Sequence, residues 1–183
     1  VSASAIGFYG SRGDEILTEQ SRPGDGFLAS LCVEWEREAQ AAAELGVRVV
    51  RLRSGMVLGR GGGALAKMAP IFRMGLGGRL GWGGQWMSWI HIDDLLALIR
   101  HALELPALRG PVNATAPNPV TNAVFTRDLA AALHRSPFLP VPEFALKLLY
   151  GQMSEMLLAS QRVVPVAAEA AGFCFRYPQL PAA

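Results

Sequence analysis

The first 53 residues change twice between extended and helical patterns of apolar positions. Residues 1–10 alternate small and apolar side chains, and this predicts a strand that ends in a turn. Residues 27–45 are rich in Ala and Glu without Pro or Gly, which predicts a helix that ends at Gly46. The β-branched run at 47–53 predicts a buried strand. Strand, helix and strand in this order predict a β-α-β unit, and therefore an α/β fold with a parallel sheet.

Beyond this unit the chain keeps alternating helical and extended patterns. The predicted elements are a short helix in 64–74, an extended stretch at 86–92, a helix from an Asp93 cap to Leu105, a strand at 110–117 and a helix capped by Thr121 or Asn122. Prolines at 137, 140 and 142 mark a shift in composition. We therefore expect a first domain at 1–136 and a small, mostly helical domain at 137–183, with helices from Glu143 and near 153–160 and a strand at 172–178.

The composition indicates an ordered protein with a packed core, and it disfavours several kinds of partner. Hydrophobic residues make up 51% of the chain and charged residues 17%, enough to form a packed core. A formal net charge of +2 does not favour nucleic acid, and no apolar run reaches the roughly 18 residues of a membrane span. The two cysteines and three histidines show no metal-ligand spacing. We expect Cys32 and Cys174 to be free thiols in the cytoplasm, with no metal site.

A basic, glycine-rich segment occupies the middle of the chain. Between Leu45 and Ile92 there is no Asp or Glu, but there are seven basic residues: Arg48, Arg51, Arg53, Arg60, Lys67, Arg73 and Arg79. Such a segment favours binding of phosphates or carboxylates, and the alternative is that these side chains simply face solvent. Residues 59–84 also hold ten glycines, but no acid follows at the spacing of a dinucleotide fingerprint. We interpret them as a loop over a cleft.

Several longer motifs carry a resemblance to a known superfamily. SASAIGFYG, TEQSRPG, VRVVRLRSGMVLG and WIHIDDLLALI resemble the second half of an extended short-chain dehydrogenase/reductase. LRSGMVLGRGGGALAKM, QWMSWIHIDDL and the tail from PEFALKLLYGQM are similar to an atypical branch, the NAD(P)-dependent, nucleotide-sugar epimerase-like proteins with a short C-terminal domain. The resemblance covers essentially the whole chain.

This resemblance implies a Rossmann-like, doubly wound sheet of which the chain forms the C-terminal part. It also implies that the N-terminal, nucleotide-binding half is absent, so that the isolated chain is inactive. The expected activity is that of an NADP(H)-dependent oxidoreductase or epimerase acting on a small polar substrate of the sugar or phosphorylated type. A small molecule is thus the expected partner, and a homodimer through the helix that carries Trp35 is one option.

The chain departs from the superfamily at its catalytic Tyr-x-x-x-Lys motif. The alignment places Cys32 at the Tyr position and Glu36 at the Lys position. A lysine lowers the pKa of a neighbouring phenol whereas a glutamate raises it, so the usual mechanism cannot run here. The two residues are four apart on one helix face, either as a new acid/base pair or as a buried thiol and a solvated carboxylate. Ser4, on the strand that bears the superfamily's serine, completes the predicted catalytic set, with tight packing as its alternative role.

The resemblance also assigns binding residues. The predicted contacts to the nicotinamide are Ser54, Gly55 and Val57. The predicted substrate-binding residues are Tyr9, Gln85, Trp86, Trp89 and His91. His91 has an alternative, purely structural role against neighbouring tryptophans. Loss of the Tyr and Lys also keeps a second hypothesis open, in which the protein is a catalytically silent nucleotide sensor or interaction module of the same fold.

Overall fold

The computed structural model describes residues 1–136 and 140–183. Its strands are β1 (Ser2–Ala5), β2 (Ile16–Leu17), β3 (Val50–Ser54), β4 (Met56–Leu58), β5 (Trp86–Met87), β6 (Trp89–His91), β7 (Gly110–Ala114), β8 (Val120–Thr121) and β9 (Arg162–Val163). Its helices are α1 (Phe27–Ala41), α2 (Gly63–Arg73), α3 (Ile92–Glu104), α4 (Asn122–Ala132), α5 (Glu143–Tyr150), α6 (Ser154–Leu158) and α7 (Val166–Ala170). The predicted domain boundary after residue 136 falls where the described residues are interrupted.

The predicted β-α-β unit is confirmed. β1 and β3 are parallel neighbours, α1 connects them, and β7 pairs in parallel with the other edge of β3. After α1 the chain makes a single 3-10 turn over 42–45, and Gly46 then adopts a left-handed conformation with φ of 77°. A residue with a side chain is disfavoured there, which is why the helix stops where the sequence predicts.

One face of the three-stranded sheet forms the main apolar core. Val50 and Leu52 of β3 and Val112 of β7 point to this face, where α3 contributes Leu98 and Ala102. All five side chains are almost completely buried. The period-2 alternation of β3 therefore sends its arginines to the opposite face, which is the face that α1 covers.

The structure confirms one predicted helix cap and corrects another. Thr121 caps α4, as one of the two predicted options, because its hydroxyl accepts a hydrogen bond from Val124 N. α3 is capped by His91 rather than by Asp93: His91 Nδ1 accepts from the Asp93 backbone N–H. The neighbouring Asp94 is buried, and its two carboxylate oxygens accept from the backbone N–H groups of residues 176 and 177 at 2.9 Å. Asp94 thus ties the C-terminal tail to the start of α3.

The tail around residues 172–178 is irregular, so the predicted strand there is wrong. Its alternating pattern has another cause, since Phe173 and Phe175 both pack against the core of the main sheet. Two short parallel pairings that the sequence did not predict, β2 with β9 and β4 with β6, tie the loops together. In the part of the chain that the structure describes, no helix is long and apolar enough to cross a membrane.

Candidate functional site

A row of polar side chains crosses all three strands of the main sheet. Ser4 of β1 lies opposite Arg53 of β3, and Arg53 lies opposite Asn113 of β7. All three are at most 5% exposed. Because residues opposite each other in a sheet share a face, this polar row lies on the side that α1 covers. We call Ser4, Arg53 and Asn113, with the Tyr9 and Glu36 side chains that bind them, the polar row.

Glu36 lies on the buried face of α1 and binds the polar row from the helix side. Arg53 donates to both of its carboxylate oxygens, from Nε to Oε1 at 2.7 Å and from Nη2 to Oε2 at 2.8 Å. Ser4 Oγ donates to Glu36 Oε1 at 2.8 Å. Such a bidentate Arg–carboxylate pair fixes both side chains in one geometry. The sequence left open that Glu36 is a solvated carboxylate. This alternative is wrong, because Glu36 is only 3% exposed.

Tyr9 joins β3 to β7 at the other end of the row. Arg53 Nη1 donates to the phenol oxygen at 2.9 Å, and the phenol donates to Asn113 Oδ1 at 2.7 Å. The Asn113 side-chain amide nitrogen in turn donates to the carbonyl of Val164. The guanidinium of Arg53 also lies 3.5 Å above the ring of Phe8. Every nitrogen of the Arg53 guanidinium is thus engaged.

Burial and charge set the protonation states in and beside the row. Burial favours the neutral form of Glu36, but hydrogen bonds from Arg53 and Ser4 outweigh it and lower the pKa of the carboxyl. Burial raises the pKa of the Tyr9 phenol, and burial likewise raises the pKa of the Cys32 thiol. At neutral pH the site therefore holds a fixed carboxylate, a neutral phenol and a neutral thiol. This arrangement stabilises charge and orients polar groups, which is different from the phenol–ammonium pair of the superfamily.

The structure brings the three predicted catalytic residues together. Ser4 and Glu36 are hydrogen-bonded, and Cys32 lies one helical turn before Glu36 on the same buried face. The sequence pattern missed Arg53 and Asn113, which hold this site together. Their signal was present as single polar residues inside apolar strands, and such residues are usually buried only when paired.

The predicted nicotinamide contacts lie at the carboxyl end of β3. Gly55 donates its backbone N–H to Ala114 O at 3.1 Å, and Met56 donates to Ser88 O at 2.9 Å. A Cβ on Gly55 would come within 2.6 Å of Ser88 O, so the two segments touch through their backbones. Ser54 ends β3 and Val57 lies in β4, which pairs with β6. The segment is therefore held firmly at the edge where α/β sheets bind their ligands.

The predicted substrate-binding residues do not converge on one cavity. Trp89 and Gln85 are completely buried, Trp89 donating to Asn118 O and Gln85 to Leu80 O. Trp86 is partly exposed, and its indole donates to Asp14 at 2.7 Å. The ring of His91 lies 4.0 Å from that of Tyr177, beside its capping contact at α3. Their substrate role stays a prediction, and the geometry of His91 favours its structural alternative.

A parallel sheet with a crossing helix on one face and apolar packing on the other is a Rossmann-like α/β arrangement, and solved epimerase structures share it. Residues 141–183 match the family described as Domain of unknown function (DUF1731). Over 97% of its length the chain is 48% identical to the Arabidopsis thaliana chloroplastic epimerase family protein SDR39U1 homolog, of which it covers 51%.

Two solved structures are similar to the chain along nearly all of its length. The human epimerase family protein SDR39U1, crystallised with NADPH, is 40% identical with a TM-score of 0.92, over 99% of this chain and 62% of the human one. A nucleoside-diphosphate sugar epimerase of Corynebacterium glutamicum is 42% identical with a TM-score of 0.82, over 99% of this chain and 35% of its own. The chain is thus similar to SDR39U1-type epimerase family proteins, and its residues 141–183 match the DUF1731 model. It spans about half of the Arabidopsis relative, about three-fifths of the human one and about a third of the Corynebacterium chain.

Proposed function

We propose that the chain supplies the substrate-side part of an NADP(H)-dependent oxidoreductase or epimerase that acts on a small polar, sugar-like or phosphorylated molecule. The observation that carries this proposal is the TM-score of 0.92 to a human relative solved with NADPH. In this proposal the backbone at Ser54, Gly55 and Val57 contacts the nicotinamide, and Ser4 faces the reacting group. Residues 1–136 provide the sheet, and residues 137–183 form the small C-terminal domain.

The polar row suggests how such a reaction would differ from that of the superfamily. Glu36 occupies the position of the lysine and is bound by Arg53, so its charge stays negative at neutral pH. The superfamily's catalytic tyrosine is also replaced, by Cys32, so no phenol stands one helical turn before Glu36. We infer that Arg53 and Glu36 hold Ser4 in place, and that Ser4, rather than a Tyr–Lys pair, orients the substrate oxygen by hydrogen bonding.

The first test of this proposal is cofactor binding. The 183 residues contain no glycine-rich dinucleotide fingerprint with its following acid, so they lack the turn that would hold the pyrophosphate. We expect the isolated chain to bind no NADPH in isothermal titration calorimetry, and the full-length protein to bind it well. NADH in the same titration is the control for the 2′-phosphate. Measurable NADPH binding by the isolated chain would contradict the first expectation. A full-length protein that binds no NADPH would contradict the proposed cofactor.

A catalytically silent nucleotide sensor of the same fold is the second candidate. The observation that favours it is the closed hydrogen bonding of the polar row, in which Ser4 already donates to Glu36 and Tyr9 already donates to Asn113. Such a protein would bind NADPH as tightly as an enzyme. Only a measurement of hydride transfer separates the two functions.

The cellular setting belongs to the same proposal. Cys32 and Cys174 are free thiols, one buried and one exposed, and this suits a reducing compartment such as the cytoplasm. We expect the protein to bind a small-molecule substrate, and neither nucleic acid nor a membrane. Along α1 an exposed apolar edge includes Leu31 and Trp35, which suits a second copy as the partner of this helix.

A further inference from the structure

An open groove lies beside α1, on the same face of the sheet as the polar row. It consists of two adjoining cavities of about 520 and 700 Å³, which share Gln40 and Arg51 in their walls. The larger cavity lies at the amino-terminal end of β3 and is bordered by Val47 and Gly110. We call these two cavities the basic groove. The larger cavity lies at the other end of β3 from Ser54–Val57, where the nicotinamide contacts are proposed, whereas the smaller one extends along the strand to Arg53.

The lining of the basic groove carries more positive than negative charge. The five arginines and three glutamates are Arg37, Arg48, Arg51, Arg53, Arg109, Glu36, Glu38 and Glu44. Glu36 is taken up by Arg53, and Glu38 is paired with Arg37 at 3.0 Å.

Two of the remaining arginines have no matched carboxylate. Arg48 is already used, because its guanidinium donates to three carbonyls at the end of α3 and in the turn that follows. Within residues 1–136 and 140–183, neither Arg51 nor Arg109 has a close ion pair, apart from a 3.6 Å contact of Arg51 to Glu36. Glu44 lies at the exposed mouth of the groove. The groove therefore holds two guanidiniums without a close ion pair and one exposed carboxylate.

Arg51 is the centre of this excess charge. Its side chain is 19% exposed, and its Nη1 lies 3.6 Å from the Glu36 oxygen that Arg53 already binds. Its Nε is buried and makes no hydrogen bond to any described residue. A buried donor without a partner is costly, and a guanidinium matches the paired oxygens of phosphate or carboxylate. Arg51 thus brings a positive charge and an unpaired donor to the wall of the groove.

The backbone leaves room for a ligand next to Arg51. Gly110 has a φ of 81° and lies beside the guanidinium, since a Cβ built on it would be 4.0 Å from Arg51 Nη2. The adjacent Arg109 is exposed at the rim, in reach of the same space. Gln40 adds an amide from the α1 side. Donors from three elements therefore surround one opening.

We propose that the basic groove binds a small multivalent oxyanion, a phosphate group, between Arg51 and Arg109. This site is separate from the proposed coenzyme contacts, because parallel α/β sheets bind their coenzymes at the carboxyl ends of the strands, and the larger cavity with Arg51 and Arg109 lies at the amino end of β3. It also gives part of the acid-free segment of the sequence a definite role. The proposal does not depend on the protein being an oxidoreductase.

The test titrates inorganic phosphate into the 183-residue chain in a calorimeter. Sodium chloride at equal ionic strength is titrated in the same way as the reference for nonspecific anion binding. Arg51→Gln is expected to weaken phosphate binding at least tenfold, because it removes the charge and the bidentate donors. Arg60→Gln is the matched control, since Arg60 is an exposed arginine outside the groove and the change in net charge is the same. We expect it to bind phosphate as the unchanged chain does.

A second variant keeps the test decisive if Arg51→Gln folds poorly. Arg109 is exposed, so Arg109→Gln should fold normally and still weaken phosphate binding several-fold. Titration with ADP then identifies the source of the phosphate, because tighter binding of ADP than of phosphate indicates a nucleotide and equal binding indicates free phosphate. No phosphate binding beyond that of chloride, or equal loss in Arg60→Gln and Arg51→Gln, would overturn the proposal.

Discussion

Replacing Glu36 by Gln is expected to lower the free energy of unfolding by about 3 kcal/mol, as is typical when one partner of a buried ion pair is removed. The substitution leaves the Arg53 guanidinium buried, 5% exposed, without its carboxylate. It also removes the charged acceptor of the Ser4 hydroxyl. Urea unfolding, with an unchanged m-value, measures the loss directly.

Glu38→Gln is the matched control, because Glu38 is on the same helix and is also bonded to an arginine. Its side chain is 72% exposed and that of Arg37 is 68% exposed, so the pair contributes little. We expect the control to unfold at nearly the same urea concentration as the unchanged chain. Equal midpoints for Glu36→Gln and the unchanged chain would contradict the buried ion pair.

The effect of Glu36 should also depend on pH in a defined direction. Since the folded protein holds the pKa of Glu36 below its ordinary value, the carboxylate contributes stability above the pKa of the unfolded chain, about 4.3. This contribution is lost as the pH falls through the lower pKa of the folded state. The stability difference between the unchanged chain and Glu36→Gln should therefore be largest near neutrality and shrink in acid. A difference that grows in acid would contradict this assignment.

Replacing Gly24 by Ala is expected to destabilise the protein by about 3 kcal/mol, at the upper end of the cost of overpacking. A Cβ on Gly24 would lie 2.1 Å from Tyr9 O and 2.5 Å from Tyr9 C. These are backbone atoms, so no side-chain rotation relieves the clash. Tyr9 would have to shift, and its phenol would move away from Arg53 and Asn113. Thermal unfolding followed by the near-ultraviolet signal of the aromatic residues measures both effects.

Gly7→Ala is the comparison for this variant. Gly7 lies in the same connection between β1 and α1, but its Cβ would meet Leu28 Cβ at 3.6 Å and Cys32 Sγ at 3.7 Å, which are ordinary contacts. We expect a change of less than about 1 kcal/mol. A Gly24→Ala protein as stable as Gly7→Ala would show that the close packing of Gly24 on Tyr9 is absent.

The sequence predicts the backbone of this fold better than it predicts the site. Periodicity places α1 and β3 within a few residues, helped by the glycine that ends the helical segment. It makes the first strand too long, because β1 ends at Ala5 and residues 6–9 form a 3-10 helix. It misses β2 and β9, which are two residues each and form only when distant loops meet. The failure at 172–178 has the same origin, since alternating Phe173 and Phe175 can be satisfied by packing as well as by strand pairing.

The polar row was hidden because its burial depends on contacts across the fold. Arg53 and Asn113 are polar residues within apolar strands, which suggests paired burial, but only the register shows that they lie beside each other. Glu36 looks solvated on a helix rich in Glu, and only the crossing of α1 over the sheet brings it to Arg53. A sequence contains these residues but not the cross-strand register that pairs them.

We propose that this chain is the substrate-side part of an NADP(H)-dependent oxidoreductase. The most direct test is single-turnover absorbance at the reduced-nicotinamide band, with the full-length protein, stoichiometric NADPH and a panel of sugar-like and phosphorylated carbonyl compounds. We predict a loss of this absorbance with at least one compound, and a slower loss in the Ser4→Ala protein. Tight binding of NADPH in calorimetry without any absorbance change across the panel would contradict the enzyme and favour the nucleotide sensor.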